Sequence, residues 1–214
     1  MKMKILIMAL VIGFWIGFNH VMAAPITIEI TGNVTSASGS ALPSTIHAGV
    51  DFTGIYTYDS STPDSVSLAF MGKYCHNSPY GVSISMGGYE FKTTASHTNL
   101  FTISIYNDIS DGGIHDLYQI SSFDNISIPS VGFTIASINW GLRDNTHSAL
   151  SSDALPITAP VLTNWDYNLL WIYGLYNPDH SEVSVYGTVT QTVLIPEPLT
   201  GILMAMGIVF LRRK

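Results

Sequence analysis

Apolar and polar residues alternate with a period of two in short segments along much of this 214-residue chain. The clearest case is Ile26-Thr27-Ile28-Glu29-Ile30-Thr31. Successive side chains of a β-strand point to opposite faces, so this alternation predicts strands that bury one face. No stretch of a dozen residues has the 3.6-residue period of an amphipathic helix. The pattern predicts further strands at residues 52–58, 80–86, 89–93, 101–106, 117–123, 131–140 and 182–190.

Gly, Pro, Asn, Asp and Ser are concentrated between these segments, for example at residues 59–64, 86–88 and 111–113. These residue types favour tight turns. Short strands at this spacing predict an all-β fold, either an antiparallel β-sandwich or a jelly-roll-like domain. Thr31-Gly32-Asn33-Val34-Thr35 and Tyr186-Gly187-Thr188-Val189-Thr190 are similar, and we expect them to form neighbouring strands of one sheet.

The N-terminus has the composition of a secretion signal. Two lysines precede an apolar stretch, residues 5–18, and small residues follow at Ala23 and Ala24. This pattern predicts a signal peptide over residues 1–23 that signal peptidase removes after Ala23. A cut after Ala24 would place Pro25 next to the broken bond. An uncleaved transmembrane helix is the alternative interpretation.

A second apolar segment follows Pro196-Glu197-Pro198 and covers residues 199–211, which carry no charge. As a helix it would span about 20 Å, which is short of the roughly 30 Å hydrocarbon core of a bilayer. Arg212-Arg213-Lys214 comes next and favours the cytoplasmic side of a membrane. The two prolines keep Glu197 in an extended and accessible segment. A short hydrophobic helix is therefore predicted here, with a C-terminal core helix as the alternative.

Residues 195–214 together resemble the PEP-CTERM sorting signal of exported bacterial proteins. In that family an exosortase, which is a membrane protease-transpeptidase, recognises and processes the signal. The resemblance implies an inner-membrane intermediate that is then delivered to the cell surface or released outside the cell. It also implies a Gram-negative host that makes exopolysaccharide, as in a biofilm. Residues 52–59 with Pro63-Asp64, residues 151–156 and the closing residues 187–190 are similar to a recurrent group of ectodomains with the same signal, to which no catalytic activity is attached.

Residues 24–194 remain as the ectodomain, which is long enough for one hydrophobic core. They contain 14 of the 15 acidic residues but only three cations, Lys73, Lys92 and Arg143, which gives a net charge of −11 with histidine neutral. Such a surface repels phosphate backbones, so nucleic acid is not an expected partner. Cys75 is the only cysteine, so its thiol is either partly buried or forms an intermolecular disulfide.

The sequence contains no signature of a hydrolase, a zinc protease or a phosphate-binding loop. We therefore predict that the protein is not an enzyme. A glycosidase would need two carboxylates across a cleft, and the sequence does not select such a pair.

Calcium is the metal best suited to one turn of the ectodomain. Asp108, Asp111 and Asp116 supply three carboxylates around two glycines, and calcium takes hard oxygen ligands from irregular loops. The spacing is not that of an EF-hand, and aspartate is also favoured in turns for its own sake. Calcium binding and a purely local turn are therefore both open, and no other cofactor is predicted.

Four aromatic residues would lie on one face of a strand if residues 165–175 were extended: Trp165, Tyr167, Trp171 and Tyr173. An aromatic ring can stack on the apolar C–H face of a sugar, which makes Trp165 and Trp171 candidate ligand-binding residues. Leu169 and Leu175 would share that face, however, and their presence favours a place in the core.

These observations predict an exported, non-catalytic protein of the cell surface or extracellular matrix. Its expected partners are signal peptidase, an exosortase, the membrane through the C-terminal segment, and extracellular polysaccharide. One alternative function is a carbohydrate-binding module, which could depend on calcium. Another is a secreted hydrolase, which would require two acids in a shared cleft.

Overall fold

The structure is a computed structural model, and it describes residues 25–110, 114–128, 132–176, 178 and 180–196. These residues form ten strands and one short 3₁₀ turn, η1 (Leu162–Asn164), so the all-β prediction is confirmed. The strands are β1 (Pro25–Ser38), β2 (Asp51–Asp59), β3 (Met71–His76), β4 (Gly81–Met86), β5 (Tyr89–Lys92), β6 (Phe101–Ile109), β7 (His115–Ser122), β8 (Phe133–Asp144), β9 (Tyr167–Tyr176) and β10 (Glu182–Ile195).

All ten strands belong to one antiparallel sheet with the order β3-β6-β7-β8-β9-β10-β1-β2-β4-β5. Strands β6 to β10 are paired in chain order, as short connections between antiparallel neighbours allow. The first and last strands pair in the interior of the sheet. Gly32 lies opposite Val189, and Val34 lies opposite Gly187. The expectation that the two similar segments are neighbours is therefore confirmed.

The sheet curls so that its two halves enclose one core. Tyr118 on β7 donates a 3.0 Å hydrogen bond to the hydroxyl of Tyr56 on β2, although four strands separate β7 from β2 in the sheet. Trp140 packs beside both tyrosine rings, with centroid distances of 6.0 Å. Phe91 on β5 similarly lies 6.2 Å from Phe133 on β8. Such curling follows from the right-handed twist of the strands.

Two strands have no alternating pattern of apolar residues, and only their tertiary surroundings explain them. The buried side of β3 consists of Gly72, Tyr74 and His76, of which only Tyr74 is large and hydrophobic. Strand β9 is apolar on both faces, which hides a period of two.

Two predicted elements at the ends of the chain lie outside the described residues: the signal helix over residues 1–23 and the hydrophobic helix over residues 199–211. Within the described ranges, no helix has the length and hydropathy needed to cross a membrane. Strand β10 runs past the predicted end at residue 190 to Ile195. Pro196 therefore follows directly on a strand of the sheet.

Candidate functional site

Strand β9 presents aromatic side chains on the outer surface of the sheet. Leu170 and Ile172 are each 2% exposed and belong to the core, so Trp171, between them, points the other way. Tyr186 lies directly opposite Trp171 on β10 and is 39% exposed. Tyr167, on the same side of β9, is 50% exposed. We call this surface the aromatic face, and its rings are Tyr167, Trp171, Tyr173 and Tyr186.

The aromatic face has a gap in its side-chain layer at Gly141 on β8. Gly141 pairs with Gln119 on β7 and with Leu169 on β9. A Cβ atom built on Gly141 would meet no surrounding atom within 4 Å. The surface between the Gln119 and Leu169 side chains is therefore open down to the backbone, and we call this the Gly141 depression.

Arg143 lies at one end of the Gly141 depression, opposite Tyr167. Its side chain is half-buried, and within the described residues it makes no ion pair or hydrogen bond. The carboxylate of Asp166, next to Tyr167 in the chain, accepts hydrogen bonds from the backbone and side-chain nitrogens of Asn145, at 2.9 and 3.1 Å. The guanidinium of Arg143 is thus a cation without a fixed counter-ion in this part of the molecule.

Trp165 does not join the aromatic face. Strand β9 begins at Tyr167, and Trp165 instead follows η1 and packs, partly buried, against the hydrophobic core. The prediction that these aromatic residues pack in the core is therefore correct for Trp165 and wrong for Trp171, because the two residues lie in different elements. Sequence reasoning missed Tyr186, Gly141 and Arg143, because each belongs to the face only through pairing with β9.

Two of the three predicted calcium ligands are described, at the ends of β6 and β7 where the register shifts. Asp116 is fully buried, and its carboxylate oxygens accept hydrogen bonds from the backbone N–H groups of Asp108, at 3.0 Å, and Leu150, at 2.8 Å. The Asp108 carboxylate lies 3.4 Å from His147 Nδ1. Asp111 lies outside the described residues. Among those residues that are described, no group of three His, Cys, Asp or Glu side chains is arranged to hold a metal ion.

Asp144 is the register partner of Asp116 and is also buried, at 2% exposure. It accepts hydrogen bonds from the backbone N–H groups of Thr146, Ser148 and Ala149 at 2.7, 2.7 and 2.9 Å. Burial alone would raise the pKa of Asp144, but these bonds and one from the Thr146 hydroxyl outweigh it and hold the pKa well below its usual range. Asp144 is therefore ionised near neutral pH, holds its loop through these hydrogen bonds, and is unsuited to act as a general acid.

His76 lies in an aromatic surrounding inside the sheet. The rings of Tyr58, Tyr80 and Phe101 lie 5.7 to 6.0 Å from its ring, and Nδ1 is 3.0 Å from the hydroxyl of Thr62. Burial lowers the pKa of His76 to about 4, although the charge of Asp59 opposes the shift. The imidazole is thus neutral near pH 7 and serves as part of the core.

The two ends of the described chain lie side by side. Thr27, near the start of β1, pairs with Ile195 at the end of β10. Val193, Leu194 and Ile195 are 43%, 37% and 37% exposed. The predicted processing residues beyond this point lie outside the described residues: Ala23, Ala24, Glu197, Pro198, Arg212, Arg213 and Lys214.

No known protein family, no curated protein and no solved structure matches this chain.

Proposed function

We propose that this chain is an exported, non-catalytic protein of the cell surface or extracellular matrix, sorted by an exosortase through residues 195–214. The observation that carries the proposal is the pairing of Thr27 with Ile195, which brings both ends of the ectodomain to one end of the sheet. Lysines precede the first apolar segment and cations follow the second. Each segment is therefore expected to keep its charged end in the cytoplasm. A domain held by either segment would therefore present the same end of the sheet to the membrane.

In this proposal a signal helix covers residues 1–23, and signal peptidase cuts it after Ala23. A short hydrophobic helix over residues 199–211 then holds an inner-membrane intermediate until the exosortase acts at Pro196-Glu197-Pro198. The ectodomain between the two segments is an antiparallel β-sandwich, or a jelly-roll-like variant, formed by the two facing halves of the curled sheet.

The test is the mass of the C-terminal peptide recovered from host cells and culture medium. We expect the mature chain to end near residues 196–198 or to carry an added mass there. Glu197→Ala should leave the intact chain in the membrane fraction, whereas Glu182→Ala, a change of the same type on β10, should be processed normally. Recovery of wild-type protein that retains residues 199–214 would contradict the proposal.

The aromatic face favours carbohydrate binding as the activity of the ectodomain. Tyr167 and Tyr186 are both exposed, and Trp171 lies on β9 directly opposite Tyr186, on the side of the strand that faces away from the core. We propose that sugars stack on these rings. Acrylamide should quench part of the tryptophan fluorescence, and Trp171→Phe should remove more of that part than Trp165→Phe, because Trp165 packs against the core. Protection of every tryptophan would count against a stacking surface.

Titrations with and without calcium test whether binding depends on calcium.

A further inference from the structure

We propose that the aromatic face and the Gly141 depression form one elongated site for an acidic polysaccharide, with a sugar carboxylate bound by Arg143. The inference rests on the proposed carbohydrate-binding function and names its ligand class. The site has two ends and a centre. Arg143 and Tyr167 are paired at one end, Trp171 and Tyr186 are paired at the other, and the depression lies between them.

The dimensions favour a chain over a single sugar. Tyr167 and Trp171 are four residues apart on one strand, so their side chains stand about 14 Å apart at roughly 3.4 Å per residue. The open backbone at Gly141 lies between these rings, beside Leu169. A sugar chain lying on both rings would therefore cross the depression, where an ordinary side chain would obstruct it.

The charge favours a ligand that carries carboxylates. Arg143 is the one cation on this part of the sheet, and it has no acidic partner among the described residues. A guanidinium binds a carboxylate through two parallel hydrogen bonds, which gives both strength and orientation. The ectodomain as a whole is acidic, but charges further away than about 8 Å are largely screened at physiological salt. Two nearer carboxylates are already hydrogen-bonded. Asp144 accepts bonds within its own loop, and Asp166, next to Tyr167, accepts two bonds from Asn145. The guanidinium of Arg143 has no such partner and is the group that would bind a ligand carboxylate beside Tyr167.

The fold is expected to tolerate a substitution that fills the depression. Gly141→Val adds a β-branched side chain that suits a strand and meets no surrounding atom within 4 Å at its Cβ. Arg143→Gln removes the charge and retains a polar side chain. Thr53→Val, on the exposed outer side of β2, is a control that adds an apolar group to the sheet surface away from the site.

The experiment is calorimetric titration of the full chain, purified in a mild detergent, with polygalacturonate oligosaccharides and with the same oligosaccharides after their carboxylates are reduced to alcohols. Circular dichroism first confirms that each variant is folded. We expect wild type and Thr53→Val to bind the acidic chain at least tenfold more tightly than the reduced chain. Gly141→Val should lose at least tenfold in affinity for both chains. Arg143→Gln should lose affinity only for the acidic chain and should also lose the salt dependence of binding.

The possible results separate this site from the wider function. Equal binding by Gly141→Val and wild type would overturn the site while leaving carbohydrate binding intact. Equal affinity of wild type for acidic and reduced chains would overturn the acidic ligand. If neither chain binds and sedimentation shows a dimer that Gly141→Val dissociates, the face is a contact between two copies, and the inference is wrong. Absence of binding to any polysaccharide of the host would overturn the carbohydrate-binding function itself.

Discussion

Two glycines of the sheet occupy opposite surroundings at the scale of single residues. A Cβ atom on Gly32 would lie 2.1 Å from the carbonyl oxygen of Thr188 and 2.5 Å from the ring of Phe52. The Thr188 oxygen belongs to the backbone of the paired strand, so it can move away only if the β1–β10 pairing is distorted. Gly141 on the aromatic face has no such neighbour.

We therefore predict that Gly32→Ala lowers the free energy of unfolding by about 2 to 4 kcal/mol through overpacking. Gly141→Ala should leave it unchanged or raise it by up to about 1 kcal/mol, because alanine restricts the unfolded chain and fits the strand. Urea unfolding of the two variants beside wild type measures both changes. Equal losses in the two variants would show that the close approach at Gly32 is unimportant.

His76 makes the stability of the fold depend on pH. The pKa of His76 falls from 6.5 in the unfolded chain to about 4 in the folded protein, because its ring is buried. Between these values the unfolded state binds the proton more tightly, so acidification favours unfolding. The free energy of unfolding is therefore not reduced by His76 above pH 6.5, and it decreases as the pH falls towards 4. A pKa shift of this size corresponds to about 3 kcal/mol.

We predict that His76→Phe removes most of this pH dependence, since phenylalanine keeps a ring among Tyr58, Tyr80 and Phe101 but cannot be protonated. Chemical unfolding at pH 7 and at pH 4 gives the difference for each variant. The exposed His47 provides a matched control, because His47→Gln should retain the wild-type dependence. An unchanged dependence in His76→Phe would assign the effect to other groups.

At the scale of strands, the two lysines of the ectodomain occupy the two edges of the sheet. Lys73 lies on β3 and Lys92 on β5, which are the first and last strands in the sheet order. Loop residues already bond to the backbone at these positions, Asp64 and Ser65 at Lys73 and Ile126 at Lys92. Edge backbone that is not bonded in this way invites pairing with another chain, and lysine is a common means of preventing this. Strand β5 is also only four residues long, which further limits its use as a template.

We predict that the double change Lys73→Thr and Lys92→Thr increases aggregation without altering the fold. The free energy of unfolding should change by less than about 0.5 kcal/mol, because both side chains are on the surface. Light scattering during incubation at high protein concentration measures the aggregation. The double change to arginine keeps both charges and should behave as wild type, and aggregation of both pairs would point to a cause other than charge.

For the whole molecule, the hydrogen bond between Tyr118 and Tyr56 joins the facing halves of the sheet. Both rings are almost completely buried, and the two hydroxyls are 3.0 Å apart. If one hydroxyl is removed, the other stays buried without a hydrogen-bond partner, and the cost of removing it from water is not compensated. This pair therefore reports on the curl of the sheet as a whole.

We predict that the single changes Tyr118→Phe and Tyr56→Phe each destabilise the protein by about 1 to 2 kcal/mol. The double variant should lose less than the sum, which gives a coupling energy of about 1 kcal/mol in a double-mutant cycle. Tyr106→Phe, outside the core, is a control that should change stability little. Strict additivity of the two core changes would contradict the facing arrangement.

The all-β class and the approximate positions of most strands could be read from the sequence. Alternation is a local property, visible wherever one face of a strand is buried and the other is exposed, as in β1 and β2. The likeness of the segments around Gly32 and Gly187 also indicated which strands pair. The period of two could not be recognised in β9, because its outer face is nearly as apolar as its core face.

The sequence by itself determined the charge of the ectodomain, the strand pattern and the two apolar end segments, since each depends only on residues near one another in the chain. Tertiary structure decided the order of the strands, the outward direction of Trp171 and the core position of Trp165. It also brought Tyr186, Gly141 and Arg143 beside β9. The physical reason is register, because the pairing of distant strands sets which side chains share a surface, and no local pattern in the sequence records that pairing.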